Sequence, residues 1–429
     1  MSKPAILGGA PENTKIFPPY NTIGEEEKRA VMDVLESGEL SGFIASPIPE
    51  FYGGPQVKSL EKEFCQRFGV EHAVAVNSAT SGIYSMLMAM GAGPGDEVIT
   101  SPYTMHATAS SVLQCGAVPI FADIEEETFG LDPASVQENI TKNTKGILTV
   151  NIFGHAARLK ELKMIADQNG IWLLEDNAQA PAAIEEDGSY TGTVGNAGVF
   201  SFNRHKTMQS GEGGVVITND SKIAEKMRLV RNHGETVVAE WEIKDIVNTI
   251  GQNLRMTEME AAVALCQFRK LDKLNEARIK LAEHLSDGLK DIRGITPPYV
   301  RKSCKHVYYF FVMKYDEELI GLSRNKFVEA MNAEGYYFRA GYTRPIYLEP
   351  MFTQKICFGR DGYPFTINSR NDEIWYGRGL CPISERLNEK EVVLTNLIYP
   401  PLTTMDMDGI LNAVKKVISY AVEIENRLA

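Results

Sequence analysis

Short apolar runs alternate with helical stretches between about residues 57 and 220, and this alternation constrains the fold more than any other feature of the chain. The runs, such as Gly-Ile-Leu-Thr-Val-Asn-Ile, are nearly continuous, which is typical of strands covered on both faces. Strands separated by helices predict an α/β fold with a mostly parallel sheet flanked by helices. We predict strands over His72–Val76, Glu97–Ser101, Val118–Asp123, Gly146–Ile152, Trp172–Glu175, Gly198–Phe202 and Val215–Thr218.

The remainder of the chain predicts a second, smaller α+β unit. Its expected elements are a long helical stretch from Met256 to about Leu289, a strand over His306–Val312, a helix over Arg324–Ala333, a surface loop over Cys357–Arg370 and a closing helix after Met407. Because 429 residues exceed the roughly 250–300 that one core usually serves, we expect two domains. The predicted division is a large domain with an N-terminal arm over residues 1–262 and a small C-terminal domain over residues 263–429.

Charge and cysteine usage exclude several classes of function. The 44 basic and 56 acidic residues give a net charge of −12, which disfavours nucleic acid and anionic membranes as partners. The six cysteines are scattered, so we expect reduced thiols and no metal site. The N-terminus lacks a signal-peptide pattern, and no apolar stretch reaches the roughly 20 residues of a membrane span, so a cytoplasmic location is expected.

The hexapeptide Asn77-Ser-Ala-Thr-Ser-Gly82 follows one predicted strand and opens a helix over Ile83–Met90. Small residues at a helix N-terminus allow backbone N–H groups to close on an anion, so Ala79 and Thr80 are candidates for a phosphate-binding turn. An ordinary Ser/Thr helix cap explains the same hexapeptide equally well.

Two further segments place reactive side chains after predicted strands. Glu175-Asp-Asn-Ala-Gln179 lies at the carboxyl end of one strand, where open parallel sheets bind ligands, although a plain loop carboxylate would look the same. Lys206 follows a later strand within Ser-Phe-Asn-Arg-His-Lys-Thr-Met-Gln-Ser-Gly-Glu-Gly-Gly. A solvated lysine is the alternative there, but the glycines permit close backbone approach and favour a ligand site.

Together these segments match the needs of pyridoxal 5′-phosphate (PLP). A lysine forms a Schiff base with its aldehyde, a carboxylate keeps its pyridine nitrogen protonated, and a helix N-terminus holds its phosphate. The sequence therefore predicts PLP as the cofactor, bound by the large domain.

Four ordered segments carry a family resemblance: SFNRHKTMQSGEGG, EDNAQ, GPGDEVITSPYT and GQNLRMTEMEAA. In them the chain resembles the DegT/DnrJ/EryC1/StrS family of PLP-dependent sugar and aminocyclitol aminotransferases. The resemblance implies the aspartate-aminotransferase fold, fold type I, and a homodimer whose active sites lie at the subunit interface.

The resemblance also implies residue roles. Lys206 would form the Schiff base and Asp176 would pair with the pyridine nitrogen. The other implied cofactor contacts are Gln179 beside the ring hydroxyl, Ala79, Thr80 and Ser201 at the phosphate, and Asn253 at the phosphate of the neighbouring subunit.

The chain departs from the family pattern at several positions. Met105 stands where many members carry an aromatic residue over the cofactor ring, and Tyr103, or His106, is expected to stack there instead. The long segment Gly42–Tyr52 is either a substrate-covering loop or a surface excursion. Tyr347 stands where relatives often carry a histidine. The candidate substrate residues are Phe43, Tyr342, Arg344 and Tyr347.

These observations predict an aminotransferase that moves an amino group from glutamate or glutamine to a keto-sugar, nucleotide-linked by expectation, or to a keto-cyclitol. Two alternatives stay open. In a deoxysugar dehydratase of the same family, histidine replaces the catalytic lysine, and His205 directly precedes Lys206 here. The other alternative is a regulatory protein that binds PLP without turnover. Counting from Ser201-Phe202, the catalytic position falls on Lys206 and favours the aminotransferase.

Overall fold

The computed structural model describes residues 2–427 of the chain. Its strands are β1 (His72–Val76), β2 (Glu97–Thr100), β3 (Val118–Phe121), β4 (Thr144–Val150), β5 (Trp172–Asp176), β6 (Ala197–Ser201), β7 (Gly214–Thr218), β8 (Ile295–Thr296), β9 (Phe311–Tyr315), β10 (Arg339–Ala340) and β11 (Val392–Thr395). Its α-helices are α1 (Glu25–Ser37), α2 (Pro55–Phe68), α3 (Ala79–Ala89), α4 (Ala107–Gln114), α5 (Pro133–Glu138), α6 (Leu159–Gln168), α7 (Ser221–Arg231), α8 (Glu258–Arg269), α9 (Leu271–Leu289), α10 (Glu317–Ile320), α11 (Arg324–Ala333), α12 (Pro350–Thr353), α13 (Pro382–Arg386), α14 (Thr404–Ser419) and α15 (Ala421–Arg427).

Strands β1 to β7 form one sheet in the order β1-β7-β6-β5-β4-β2-β3. Strand β7 runs antiparallel to both of its neighbours, while the other adjacent pairs are parallel. The prediction of an α/β fold with a mostly parallel sheet is confirmed, and each of the seven strands predicted between residues 57 and 220 lies within two residues of its observed bounds. The carboxyl ends of all strands except β7 therefore meet at one edge of the sheet, which is where parallel sheets bind ligands.

Continuous apolar sequence and close helix packing explain why the sheet is buried on both faces. Every residue of β5, β6 and β7 is buried. Helix α3 lies so close to the sheet that a Cβ atom on Gly82 would come within 2.6 Å of Val199 Cγ2. The start of α3 is thereby fixed directly above the sheet edge where β1 ends.

A second, antiparallel sheet has the strand order β10-β11-β9-β8. It packs on α9, α11 and α14 around side chains that include Phe311, Phe327 and Val414. The strand predicted over His306–Val312 is displaced to Phe311–Tyr315. The residues before it bond to the large sheet's connections instead, since Val307 N–H donates to Gly154 O at 2.8 Å and Tyr309 N–H donates to Phe153 O at 2.7 Å.

The long helical stretch predicted from Met256 to Leu289 is two helices, α8 and α9, which meet at Lys270. Helix α8 packs on α1 and α2, whereas α9 packs on α14. The break thus separates the part that packs with the large sheet from the part that packs with the small one. No helix within residues 2–427 is both long and apolar enough to cross a membrane.

The segment between β10 and β11 returns to the large sheet. Tyr347, Phe352, Phe365 and Tyr376 are buried in a cluster with Phe121, the last residue of β3. The predicted loop over Cys357–Arg370 is irregular apart from a short 3₁₀ turn at Phe365–Ile367, and it contributes Phe365 to this cluster. The domain division at residues 262 and 263 stays a prediction.

Candidate active site

Lys206 lies in the connection between β6 and β7, at the sheet edge where the parallel strands end. Its backbone N–H donates to Asn203 O at 2.8 Å, and its side chain is 9% exposed. The ammonium nitrogen stands 4.6 Å from the centre of the Tyr309 ring, and it makes no hydrogen bond or ion pair with the described residues. Burial lowers the pKa of Lys206 to about 8, while the Asp176 carboxylate opposes this shift.

Asp176 is the last residue of β5 and is 5% exposed. Thr108 Oγ1 donates to its Oδ2 at 2.9 Å, and Ala178 N–H donates to its Oδ1 at 3.1 Å. Burial raises the pKa of Asp176, and the Ala178 N–H group, Lys206 and Thr108 oppose that rise. These two hydrogen bonds fix the orientation of the carboxylate at the sheet edge, and no cation among the described residues forms an ion pair with it.

The neighbouring Glu175 has a different, structural role. Its carboxylate accepts from the backbone N–H groups of Gly192, Val194 and Gly195 at 2.6, 2.8 and 2.7 Å, and from Asn151 Nδ2 at 3.0 Å. Since successive strand residues point to opposite faces, Glu175 anchors the connection to β6 and leaves Asp176 for the site.

Gln179 joins the two sheets at the site. Its Oε1 accepts from Phe153 N–H at 2.9 Å, and its Nε2 donates to the Tyr342 hydroxyl at 3.0 Å. The structure thus brings together Gln179, a predicted cofactor residue, and Tyr342, a predicted substrate residue from the C-terminal part.

The turn at Ala79 and Thr80 forms the N-terminus of α3. Ser78 caps the helix, since its Oγ accepts from Ser81 N–H at 3.1 Å, and Ser81 Oγ donates to Asn77 Oδ1 at 2.6 Å. The capping alternative is therefore correct for Ser78, and it leaves the N–H groups of Ala79 and Thr80 without a capping partner among the described residues.

Glycine at position 214 allows this turn to approach the end of β6. A Cβ atom there would lie 2.9 Å from Ala79 N and 2.7 Å from Phe200 O. Gly214 pairs in register with Ser201, whose side chain is buried next to it. The predicted phosphate residues Ala79, Thr80 and Ser201 are consequently neighbours in space.

Asn253 is far along the chain from the turn at Ala79 and Thr80 but lies near it in space, and its side chain is exposed. The backbone of the next residue, Leu254, accepts from Asn77 N–H at 2.9 Å. The Asn253 side chain is exposed and makes no hydrogen bond with the described residues. The Nε atom of nearby Arg255 is buried without a partner among residues 2–427.

Tyr103 packs against the site residue Tyr342. It is fully buried among Phe129, Phe153 and Tyr342, and its hydroxyl accepts from Tyr342 N–H at 3.1 Å. Its stacking on the cofactor ring stays a prediction. Met105, two residues on, is 55% exposed, so the position where relatives carry an aromatic residue is the accessible one.

The four predicted substrate residues differ in their surroundings. Phe43 is buried with its ring 4.7 Å from the Arg231 guanidinium carbon. Tyr347 is fully buried, and its hydroxyl donates to Glu385 Oε1 at 2.5 Å. Arg344 is exposed on the surface. Tyr342 is hydrogen-bonded to Gln179, and the substrate roles of all four residues stay predictions.

Sequence reasoning missed Tyr309 and Thr108. Tyr309 belongs to the aromatic run His306–Phe310, which suggested only a strand, and Thr108 lies in the first turn of α4. The position of Thr108 could have been predicted, because it follows the carboxyl end of β2, and the carboxyl ends of parallel strands lie at the same sheet edge as Asp176. Tyr309 had none, since its position depends on how the C-terminal part packs.

Comparison with known proteins agrees with this geometry. The model of the DegT/DnrJ/EryC1/StrS aminotransferase family matches residues 21–412. The chain belongs to this family. The aminotransferase is 30% identical to the spore coat polysaccharide biosynthesis protein SpsC of Bacillus subtilis over an alignment of 415 positions that covers 94% of this chain and 98% of SpsC. It is 33% identical over 425 residues, 97% of this chain and 98% of the relative, to a candidate L-glutamine:3-amino-2,3-dideoxy-scyllo-inosose aminotransferase of Streptoalloteichus tenebrarius.

Among solved structures, the aminotransferase resembles DesI, determined in the presence of its TDP-sugar product. The TM-score is 0.82 at 25% identity, over 99% of this chain and 98% of DesI. The chain is therefore a PLP-dependent aminotransferase with the type I fold, and the α/β prediction extends to that class.

Proposed function

We propose that this aminotransferase transfers an amino group from glutamate or glutamine to the keto group of a nucleotide-linked sugar or of a cyclitol. The observation that carries the proposal is Lys206: a buried lysine with a pKa of about 8 at the sheet edge that also holds Asp176. The names of the relatives support the acceptor class, since one acts in polysaccharide biosynthesis, one is named for a cyclitol and one was solved with a TDP-sugar.

The residues present fit PLP. The donor set offers an amine without a hydrogen-bond partner in the described chain, a buried carboxylate and a helix N-terminus kept open by Gly214. When bound, PLP supplies an electron sink for negative charge on the substrate carbon. Lys206 would attach it covalently, and Ala79, Thr80 and Ser201 would hold its phosphate through backbone N–H and hydroxyl donors.

Lys206 would also move the proton. A lysine with a pKa near 8 is partly neutral at physiological pH, so its Nζ can accept a proton from the substrate carbon and return one. Positioned proton transfer of this kind contributes roughly 10²–10⁴-fold to a rate. Tyr309 beneath the nitrogen restricts where the amine can swing.

Asp176 and Gln179 would orient the ring. The Asp176 carboxylate is held by Thr108 and Ala178 and would bond to a protonated pyridine nitrogen. Opposite charge stabilises that proton, which keeps the ring electron-withdrawing. Gln179, fixed between Phe153 and Tyr342, would lie beside the ring hydroxyl.

The proposal includes a homodimer with shared sites. The exposed Asn253 side chain would reach the phosphate of the partner subunit. Exposed apolar residues lie close to it in sequence, with Ile246, Val247 and Ile250 58%, 62% and 73% exposed. Apolar surface of this kind is typical of an interface. The cytoplasmic location stays a prediction.

The test is reductive trapping. Borohydride treatment of the PLP-loaded protein and peptide mapping should place the label on Lys206, and glutamate should change the cofactor absorbance before reduction. Lys206→Ala should lose the label. Lys355→Ala is the matched control, because Lys355 also has a pKa lowered by burial but its ammonium bonds to Asn371. Label on another lysine, or none in a PLP-loaded protein, contradicts the proposal, and the latter result favours the dehydratase.

A further inference from the structure

A cleft of about 630 Å³ opens beside Tyr309 between the two sheets. Its wall carries three arginines, Arg204, Arg278 and Arg339, together with His205 and Tyr342. No Asp or Glu from the described residues lines it. This composition is unexpected in a chain with 56 acidic residues and a net charge of −12.

Arg278, on α9, is the buried member of this wall. It is 4% exposed, and its guanidinium carbon lies 4.6 Å from the centre of the Tyr20 ring. Its Nε is buried without a hydrogen-bond partner among the described residues, and the hydrogen bonds of its guanidinium go to neutral groups, from NH1 to Tyr308 O at a long 3.5 Å and to the Tyr20 side chain. No carboxylate within residues 2–427 forms an ion pair with it. Burying a cation without a counter-ion costs free energy, so the arginines of this wall favour the binding of an anionic ligand.

Arg204 and Arg339 are exposed at the mouth of the same cleft, and neither forms an ion pair with the described residues. Arg339 donates from NH2 to Tyr342 O at 3.0 Å. Arginines lining a concave surface without carboxylates focus a positive potential there, which raises the local concentration of anionic ligands.

The cleft leads to the reactive lysine. Tyr309 lines the cleft and also contacts the Lys206 ammonium. Tyr20, which stacks on Arg278, donates from its hydroxyl to Thr207 O, next to Lys206, at 2.5 Å. An anion at the arginine wall would therefore belong to a molecule that reacts at Lys206.

We propose that Arg278, assisted by Arg204 and Arg339, binds the anionic group of a substrate and sets its position relative to Lys206. This inference rests on the proposed function. A planar guanidinium binds carboxylate and phosphate oxygens in the same bidentate way. The group is thus the carboxylate of the amino donor or the phosphate of a nucleotide-linked acceptor, and the test distinguishes the two.

The test uses two unreactive probes, glutarate and inorganic pyrophosphate, titrated calorimetrically into the PLP-loaded protein. Arg278→Gln should weaken binding of one probe by about tenfold or more, since a charge-assisted hydrogen bond is lost. Arg339→Gln should weaken the same probe by a smaller factor. Arg293→Gln removes the same charge from an exposed arginine outside the cleft and should leave both affinities unchanged.

Selective loss of glutarate, with a raised KM for the donor, assigns the wall to the donor carboxylate. Selective loss of pyrophosphate, with a raised KM for the keto substrate, assigns it to the acceptor phosphate. Unchanged affinity for both probes in folded Arg278→Gln and Arg339→Gln overturns the inference.

If Arg278→Gln does not fold, the double variant Arg204→Gln with Arg339→Gln is used for the same measurements. Calorimetry needs no turnover, so a protein that traps no PLP on Lys206 but loses probe binding would refute the proposed function alone.

Discussion

At the scale of single residues, burial shifts the pKa values of the two groups to which we assign the chemistry in opposite directions. It lowers the pKa of Lys206 to about 8 and raises that of Asp176, because both charged forms lose hydration. Their mutual attraction opposes both shifts. The amine is thereby available as a base close to neutral pH, while Thr108 and Ala178 keep the carboxylate oriented.

The opposing effects of burial and of Asp176 on the pKa of Lys206 predict how the reactivity of the Lys206 amine depends on pH. In the protein without cofactor, its acetylation by trace acetic anhydride should rise with pH and level off above about 8, because the neutral amine is the reactive form. In Asp176→Asn the midpoint should move to lower pH, since the removed negative charge had raised the pKa. Mass spectrometry measures the labelling, with exposed Lys302 as internal reference.

The same variant separates titration from turnover. Asp176→Asn should retain the fold, checked by circular dichroism, and lose orders of magnitude in transamination rate. A midpoint that moves to higher pH, or near-normal turnover in a folded variant, contradicts the role given to Asp176.

At the scale of elements, the phosphate turn depends on two adjacent elements rather than on its own sequence. Helix α3 provides N–H groups at Ala79 and Thr80, and β7 begins with Gly214 directly against them. Register places Ser201 of β6 opposite Gly214. The proposed phosphate site depends on Gly214, because a strand whose first residue has no side chain can lie directly under the N-terminus of α3.

Gly214→Ala tests this arrangement. The added Cβ would lie 2.9 Å from Ala79 N and 2.7 Å from Phe200 O, so backbone has to move at a cost of about 1–3 kcal/mol. We expect the affinity for PLP to fall by about tenfold or more, because each loss of about 1.4 kcal/mol of binding free energy is a factor of ten in affinity. Affinity for pyridoxal, which lacks the phosphate, should change less. Fluorescence titration measures both.

Gly93→Ala is the matched control, because a Cβ atom there meets no atom within 4 Å. It should leave both affinities unchanged. Equal losses for PLP and pyridoxal in Gly214→Ala would show a general disturbance instead of a displaced phosphate turn.

At the scale of the whole molecule, the site lies between two sheets and extends to a surface. The large sheet supplies Lys206 and Asp176, while the C-terminal part supplies Tyr309 and Tyr342. Outward-facing Asn253 and the exposed apolar residues beside it match the proposed second subunit, which would complete each phosphate site.

Complementation tests the shared site. Lys206→Ala and Asn253→Asp are each expected to be inactive, the latter because its carboxylate would repel the cofactor phosphate of the partner. In a mixed dimer one site carries both defects and the other carries neither, so activity should return to about half of the wild-type value per mixed dimer, by the two-fold symmetry of the assembly. The shared site is contradicted if activity does not return although subunit exchange is verified, or if solution scattering shows that a fully active protein is a monomer.

Local patterns in the sequence determined the strands, their mostly parallel arrangement and the positions of Lys206 and Asp176 at strand ends. Continuous apolar runs identify buried strands, and parallel strands bring their carboxyl ends to one edge regardless of distant packing. The helix predicted over Ile83–Met90 begins earlier, at Ala79, because Ser78 caps it.

Only the tertiary structure decided which side chains face that edge. Tyr103, Phe43 and Tyr347 are buried by packing that their residue types do not reveal, whereas Tyr309 contacts the Lys206 ammonium from an extended connection far along the chain, and Arg278 lines the same cleft as Tyr309 from a helix. Local sequence does not encode such positions, because they follow from how α9 and the connection before β9 pack against the large sheet. The burial that lowers the pKa of Lys206 arises from the same long-range packing.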